Sequence, residues 1–245
     1  MTYCLALRLD EGLIFLADTR TNAGVDNVDI YRKQHVLRPA PDRLFVLQSA
    51  GNLATTQEVL DRIERDLTTE GDHESLATVG HLFEAALYVG RLSQEIQQRH
   101  RAGLGSASAA SASFILGGQI AGTRPELLLV YPEGNYIRAS DERPFLQIGE
   151  SKYGKFMLEL AVHAKLGLEA ALKLALSSMV STARANLSVG PPYDLAIYRN
   201  GSLELVEHRI VAGSAYLEGL QKAWVSHLTA AIDQLPPIPQ DLIKR

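Results

Sequence analysis

Apolar and polar positions first alternate in short blocks along this chain, then settle into long helical periods. Residues 3–9 and 13–17 are two apolar runs joined by Asp10-Glu11-Gly12. A strand, a glycine-containing turn and a second strand are the signal of a β-hairpin. Further strands are predicted at 34–38 and 43–49, separated by the breakers Pro39-Ala40-Pro41-Asp42. The period then changes. In 52–69, Leu53, Leu60, Ile63 and Leu67 fall on one helical face. In 76–100, Leu76, Val79, Phe83, Ala86, Leu87 and Gly90 recur at the same spacing, with Ser75 as the candidate N-cap.

The stretch 103–113, rich in Ser, Ala and Gly, reads as a flexible loop. Strands resume at 113–119, 126–131 and 135–138, the last two joined by the turn Pro132-Glu133-Gly134. After the run 145–149 comes a second pair of helical patterns, 153–165 and 168–186. The latter places Leu168, Leu172, Ala175, Leu176 and Met179 on one face. Strands at 194–199 and 202–207 flank Asn200-Gly201, a strong hairpin turn. A last helix at 214–233 ends before Pro236-Pro237-Ile238-Pro239. No internal repeat is visible. Hairpins joined by helix pairs predict an α+β fold of antiparallel sheets packed face to face, with the helix pairs outside. One domain is expected over residues 1–235. A Pro-rich tail, 236–245, is either disordered or docked on a neighbour.

Composition narrows the function classes. The chain has 245 residues, 46% hydrophobic and 21% charged, enough apolar residues for a sizeable core. A formal charge of −4 and scattered basic residues give no reason to expect nucleic acid. Cys4 is the only cysteine, and no two of the seven histidines stand four residues apart, so no disulfide, metal or cofactor is expected. On a strand, Cys4 points away from the face of Tyr3 and reads as a buried apolar residue. No run approaches the ~18 consecutive apolar residues of a membrane span, and no basic patch precedes the first apolar run. These patterns predict a cytoplasmic protein.

The candidate chemistry lies at the start. Thr2 follows Met1 and opens the first strand. Removal of Met1, which a small second residue permits, would give one residue both a hydroxyl and a free α-amine, a nucleophile with its own base attached. Two complementary charges follow, Asp18 in Leu16-Ala17-Asp18-Thr19-Arg20 and Lys33 in Tyr31-Arg32-Lys33. An amine with an unperturbed pKa of about 7.7–8.0 suits general-base work near neutral pH. A cation nearby would lower it, with Asp18 holding that cation in place.

This combination resembles the N-terminal-nucleophile (Ntn) hydrolases, and within them the proteasome β-subunit family. Beyond Thr2, Asp18 and Lys33, Ala50-Gly51 leads into the first helix. Gly51 is similar to the family glycine whose N–H serves the oxyanion hole. The run Ile148-Gly149-Glu150-Ser151-Lys152-Tyr153-Gly154 stands where the family has a Gly-Ser-Gly turn. Ser188-Val189-Gly190 stands where it has a Ser-Gly turn. The runs Ser49-Ala50-Gly51-Asn52-Leu53-Ala54-Thr55 and Asn186-Leu187-Ser188-Val189-Gly190-Pro191-Pro192 most resemble the bacterial Anbu branch, the proposed ancestral β-subunit.

The resemblance implies a four-layer αββα sandwich, with Thr2, Asp18 and Lys33 as catalytic residues. Gly51, Glu150, Ser151, Asn186 and Ser188 would support them. It departs from the family in several places. Lys33 is one residue closer to Asp18 than in most subunits, Glu150 stands for the turn serine, Asn186 for an Asp, and Val189 for a Ser with Ser188 adjacent. Ser151 either caps the following helix or stands near the site.

The activity implied is hydrolysis of peptide or amide bonds through an acyl-enzyme. The alternatives are an amidase acting on a small molecule or peptide conjugate, and a self-assembling scaffold with an idle site, which the departures favour. Substrate choice would rest on the segments around Thr21, Tyr31 and Ser49. Self-association into a homo-oligomer is expected, with helix 168–186 a candidate interface. The chain carries no P-loop pattern, so any unfoldase would be a separate protein.

Overall fold

The structure is a computed structural model and describes residues 1–22, 28–71, 73–104 and 107–243. The chain divides into two compact units, Met1–Val211 and Ala212–Arg245. The division falls before the last long helix rather than at residue 235.

In the first unit the opening apolar runs form β1 (Tyr3–Leu9) and β2 (Gly12–Asp18), paired antiparallel. Both are buried on both faces, which accounts for continuous rather than alternating hydrophobicity. β3 (Arg20–Asn22) and β4 (Val28–Ile30) then form a small separate hairpin that the apolar pattern did not signal. Next come β5 (Gln34–Ala40), β6 (Arg43–Gly51), α1 (Leu53–Thr68) and α2 (Leu82–Leu104). A second run of strands follows: β7 (Ala112–Ile120), β8 (Glu126–Val130), β9 (Tyr136–Arg138) and β10 (Phe145–Gly149). The unit closes with α3 (Lys152–Ala161), α4 (Leu168–Ala185), β11 (Tyr193–Arg199) and β12 (Leu205–Ile210).

The strands build two five-stranded antiparallel sheets, in the orders β10-β1-β2-β11-β12 and β5-β6-β7-β8-β9. Between them lies a core that includes Cys4, Phe15 and Ala17 from the first sheet and Val46, Ile115 and Leu127 from the second. Phe15 reaches across onto Gly117 of β7, where a Cβ would stand 2.7 Å from its ring. A second core joins Phe45, Phe114 and Leu128 to Val59 and Ile63 of α1 and Val89 and Ile96 of α2. α3 and α4 pack together over the first sheet, where Tyr3 Oη and Ser178 Oγ are 2.7 Å apart. The result is the αββα sandwich that the resemblance implied.

Three expectations need correction. The second helix begins at Leu82, not 76, and Ser75 is not its cap. Ser75 instead organises a turn, with Thr78 N and Val79 N donating to its carbonyl at 3.1 and 3.3 Å. The Glu84 carboxylate collects the N–H groups of Gly80 and His81 at 2.7 and 3.0 Å, fixing the true start. Leu76 and Val79 have helical spacing because that turn is buried. The strand expected at 202–207 begins at Leu205, because Ser202–Glu204 loops out with Leu203 at φ 52°. The stretch 103–113 holds a 3-10 turn at Ala107–Ala110 and the start of β7, and residues 105–106 lie outside the described residues.

The second unit holds α5 (Ala215–Asp233), capped by Ser214 Oγ, which accepts from Leu217 N at 3.4 Å. A short 3-10 turn at Gln240–Leu242 follows, and residues 244–245 lie outside the described residues. Among the described residues no helix is long and apolar enough to cross a membrane, and no group of three or more His, Cys, Asp or Glu could hold a metal ion.

Candidate active site

Strand ends from both sheets converge on the first residues of the chain. Thr2 lies just before β1, Asp18 ends β2, Lys33 precedes β5, Gly51 ends β6 and Gly149 ends β10. They meet at a cleft of about 500 Å³ lined by Thr2, Thr21, Lys33, Ser49, Gly51 and Glu150, among others.

The centre is an ion pair. Lys33 Nζ donates to Asp18 Oδ1 at 2.7 Å, with both side chains almost wholly buried. The same ammonium donates to the Arg20 carbonyl at 2.6 Å and the Met1 carbonyl at 3.2 Å. It therefore bears on the peptide bond that precedes Thr2. Asp18 is held on its other sides by backbone donors, Tyr3 N to Oδ1 at 2.9 Å and Gly190 N to Oδ2 at 3.3 Å. Burial pushes the Asp18 carboxyl above the usual carboxylate range, and Lys33 and the two N–H groups oppose that push.

Thr2 is fixed through its backbone. Its carbonyl accepts from Glu150 N at 2.7 Å. Gly149, at φ +82°, passes so close that a Cβ there would stand 2.0 Å from the same oxygen, so this position excludes any side chain. Met1 precedes Thr2 in this structure, so the α-amine belongs to Met1 and Thr2 carries an amide. Burial first, then Lys33, lowers the pKa of the Met1 amine below its ordinary 8.0, while Asp18 and Glu150 act in the opposite sense.

Four of the supporting residues divide into two groups, and Ser151 belongs to neither. Gly51 and Glu150 line the cleft. Asn186 reaches the site through Glu150, donating from Nδ2 to Oε2 at 2.9 Å, and Ser188 enters through its backbone N, which donates to Asn186 Oδ1 at 3.0 Å. Ser151 occupies the N-cap position of α3 without a capping side-chain bond. Of the segments expected to shape substrate choice, Thr21 and Ser49 line the cleft, whereas Tyr31 does not. Cys4 is fully buried in the core between the sheets, and burial pushes its thiol far up, away from nucleophilic use.

Two groups escaped the sequence reading. Arg20 supplies a carbonyl to Lys33, and its Nη1 donates to the Leu187 carbonyl at 2.8 Å. Gly190 gives Asp18 a donor, and its bare Cα lets the Arg20 guanidinium pass, since a Cβ would lie 2.4 Å from Arg20 Cζ. Both residues sit inside runs that carried the resemblance, but backbone roles leave no trace in residue chemistry.

The proteasome subunit family model matches residues 2–197. A search among curated proteins gives no match. Solved structures similar over nearly their whole lengths include three of Anbu proteins. A mutant Anbu from Hyphomicrobium sp. strain MC1 is 43% identical at a TM-score of 0.91, covering 98% of this chain and 100% of that one. The helical assembly of the Anbu complex from Pseudomonas aeruginosa is 40% identical at 0.91, covering 98% and 99%. Anbu from Yersinia bercovieri is 39% identical at 0.89, covering 97% and 99%. The fold and these matches define a proteasome-type subunit. The chain belongs to the proteasome subunit family, in its Anbu, or ancestral β-subunit, branch.

Proposed function

We propose that this protein is an N-terminal threonine hydrolase that cleaves peptide or amide bonds once Met1 has been removed. The observation that carries this reading is the aim of Lys33. A buried ammonium, anchored by Asp18 and the Arg20 carbonyl, places its remaining donor on the carbonyl immediately before Thr2. That arrangement sets a positive charge where the freed amine and hydroxyl of Thr2 would react.

Thr2 Oγ attacks the substrate carbonyl while the α-amine takes the hydroxyl proton. The carbon–nitrogen bond then breaks, the proton passes to the leaving nitrogen, and an ester to Thr2 remains. Water, deprotonated by the same amine, hydrolyses the ester and restores the hydroxyl. The Gly51 N–H is the candidate oxyanion donor, a role worth about 10²–10³ in rate. Asp18 acts through Lys33 and does not touch substrate.

Self-association comes with this reading. The related Anbu from Pseudomonas aeruginosa forms a helical assembly, and a homo-oligomer of this chain would gather its clefts along one structure. An unfolding partner, if the assembly uses one, is a separate protein.

The test is intact mass before and after an epoxyketone, which requires both the hydroxyl and the free amine of an N-terminal Thr. Loss of Met1 followed by gain of one inhibitor mass, absent in Thr2→Ala, is the expected result. A chain that keeps Met1 and gains nothing would move the assignment to the scaffold with an idle site. A panel of peptides against small amides then separates a peptidase from an amidase.

A further inference from the structure

A carboxylate other than Asp18 lines the cleft itself. Glu150 is almost fully buried, lines the cleft beside Thr2 and is tied to it by the 2.7 Å bond from its own N–H to the Thr2 carbonyl. Its side chain is oriented by a partner with no freedom to turn. Asn186 Oδ1 accepts the Ser188 N–H, so its Nδ2 must face Glu150 Oε2. The amide donates without bringing a second negative charge. Lys152 stands 3.7 Å from Glu150 Oε1 but is about three-quarters exposed, so water screens it.

We propose that Glu150 is a positioning residue for the Thr2 amine: held by Asn186, its carboxylate counterbalances Lys33 so that the amine can both take and return a proton. A shuttle must accept the hydroxyl proton and then give it to the leaving nitrogen. A lone cation beside the amine favours only its deprotonated form, and a carboxylate on the other side restores its hold on the proton. The charges around the site are Lys33, with Arg32 also on the cleft wall, against Asp18 and Glu150; Lys33, Asp18 and Glu150 are the groups that act on the Met1 amine here. This inference deepens the hydrolase reading and rests on it for its purpose, but the electrostatic placement can be measured without turnover.

The experiment uses chain released from a ubiquitin fusion so that Thr2 is the first residue. Acetylation of its amine is followed across pH by peptide-resolved mass spectrometry, in the wild type, Glu150→Gln and the exchanged pair Glu150→Gln with Asn186→Asp. The exchange keeps a donor–carboxylate hydrogen bond and moves the charge to the other partner.

In Glu150→Gln the reactivity curve should move to lower pH, with the amine reacting about threefold faster below its inflection. The exchanged pair should return part of the way. An unmoved inflection in Glu150→Gln with an unchanged melting curve overturns the proposal. If that variant fails to fold, the exchanged pair decides: its charge is carried one partner further from the amine, so its inflection should lie below that of the wild type, and an inflection equal to the wild type overturns the proposal. Epoxyketone labelling of the same wild-type sample separates the two ideas. A shifted inflection without labelling refutes the hydrolase and leaves the placement of Glu150 standing, whereas labelling without a shift does the reverse.

Discussion

Two carboxylates lie on neighbouring strands of the first sheet, Asp18 at the end of β2 and Asp194 near the start of β11. Register places Asp194 opposite Ala17 and Tyr193 opposite Asp18, so the acids belong to opposite faces of the sheet. Adjacent residues of one loop supply a cation to each, Lys33 to Asp18 and Arg32 to Asp194. Both carboxyls are buried, and burial raises the pKa of each. They differ in how they are satisfied. Asp18 accepts Lys33 at 2.7 Å and two backbone N–H groups. Asp194 has Arg32 and Arg209 at 3.8 and 3.7 Å, beyond hydrogen-bond range, and its Oδ2 accepts no hydrogen bond among the described residues. Burial of both therefore does not make them equal partners. Asp18 is part of a fixed framework at the cleft, while Asp194 is a charge balanced at a distance.

The largest break in this comparison is Lys33→Ala. It leaves Asp18 buried without its cation, a change that typically costs about 3–5 kcal/mol. The urea midpoint should fall accordingly, and epoxyketone labelling should be lost in the same variant. A midpoint within ~1 kcal/mol of wild type would mean that Asp18 is already neutral in the folded chain.

That pair was legible in the sequence because its members flank short strands whose hydrophobic pattern is unambiguous. The four-layer order was legible for the same reason, since blocks of strand and helix pattern follow one another without repeats. What stayed hidden depends on contacts across the fold. The Asn186–Glu150 bond joins residues 36 positions apart, and the Gly190 and Arg20 contributions are made by backbone atoms. The start of α2 was misread because a buried turn shows the same apolar spacing as a helix, and only Glu84 with its two N–H partners marks the difference.

Two tyrosines share Asp18's face of the sheet, Tyr3 on β1 and Tyr193 on β11, and they sharpen the comparison. Tyr3 gives its N–H to Asp18, and its hydroxyl meets Ser178 Oγ at 2.7 Å and accepts from Gln147 Nε2 at 2.5 Å. Tyr3→Phe should cost about 1–3 kcal/mol by stranding those two polar groups. Burial, with the Ser178 and Gln147 bonds opposing it, pushes the Tyr3 hydroxyl up to about 12. From about pH 10 the unfolded chain releases this proton while the folded chain keeps it. The folded state then binds more protons, so stability falls as pH rises from about 10 through about 12. Urea midpoints measured across that window should fall less steeply in Tyr3→Phe than in wild type, and equal slopes would deny Tyr3 the role.

A smaller effect is expected at the other acid. Asp194→Asn removes a charge whose cations, Arg32 and Arg209, have side chains 57% and 41% exposed and stay solvated when released. No buried charge is stranded, so the urea midpoint should correspond to less than about 1 kcal/mol of change. A loss as large as that of Lys33→Ala would show that Asp194 is as firmly built into the fold as Asp18.

Tyr193→Phe carries the smallest expected effect and the cleanest contrast with Tyr3. Its ring is fully buried, but its hydroxyl has no hydrogen-bond partner among the described residues. An unpaired buried hydroxyl has already lost its water without gaining a replacement, so deleting it strands nothing. The change in stability should lie within about 0.5 kcal/mol of zero, on the stabilising side if on either. Burial raises the Tyr193 hydroxyl pKa as well, so this variant also shallows the alkaline loss of stability. Two substitutions of the same atom, on the strands that flank β2 in one sheet, thus act alike at high pH and differently at neutral pH. Only hydrogen bonding distinguishes them at neutral pH, so a cost for Tyr193→Phe matching that of Tyr3→Phe would remove the distinction drawn between a satisfied and an unsatisfied buried group.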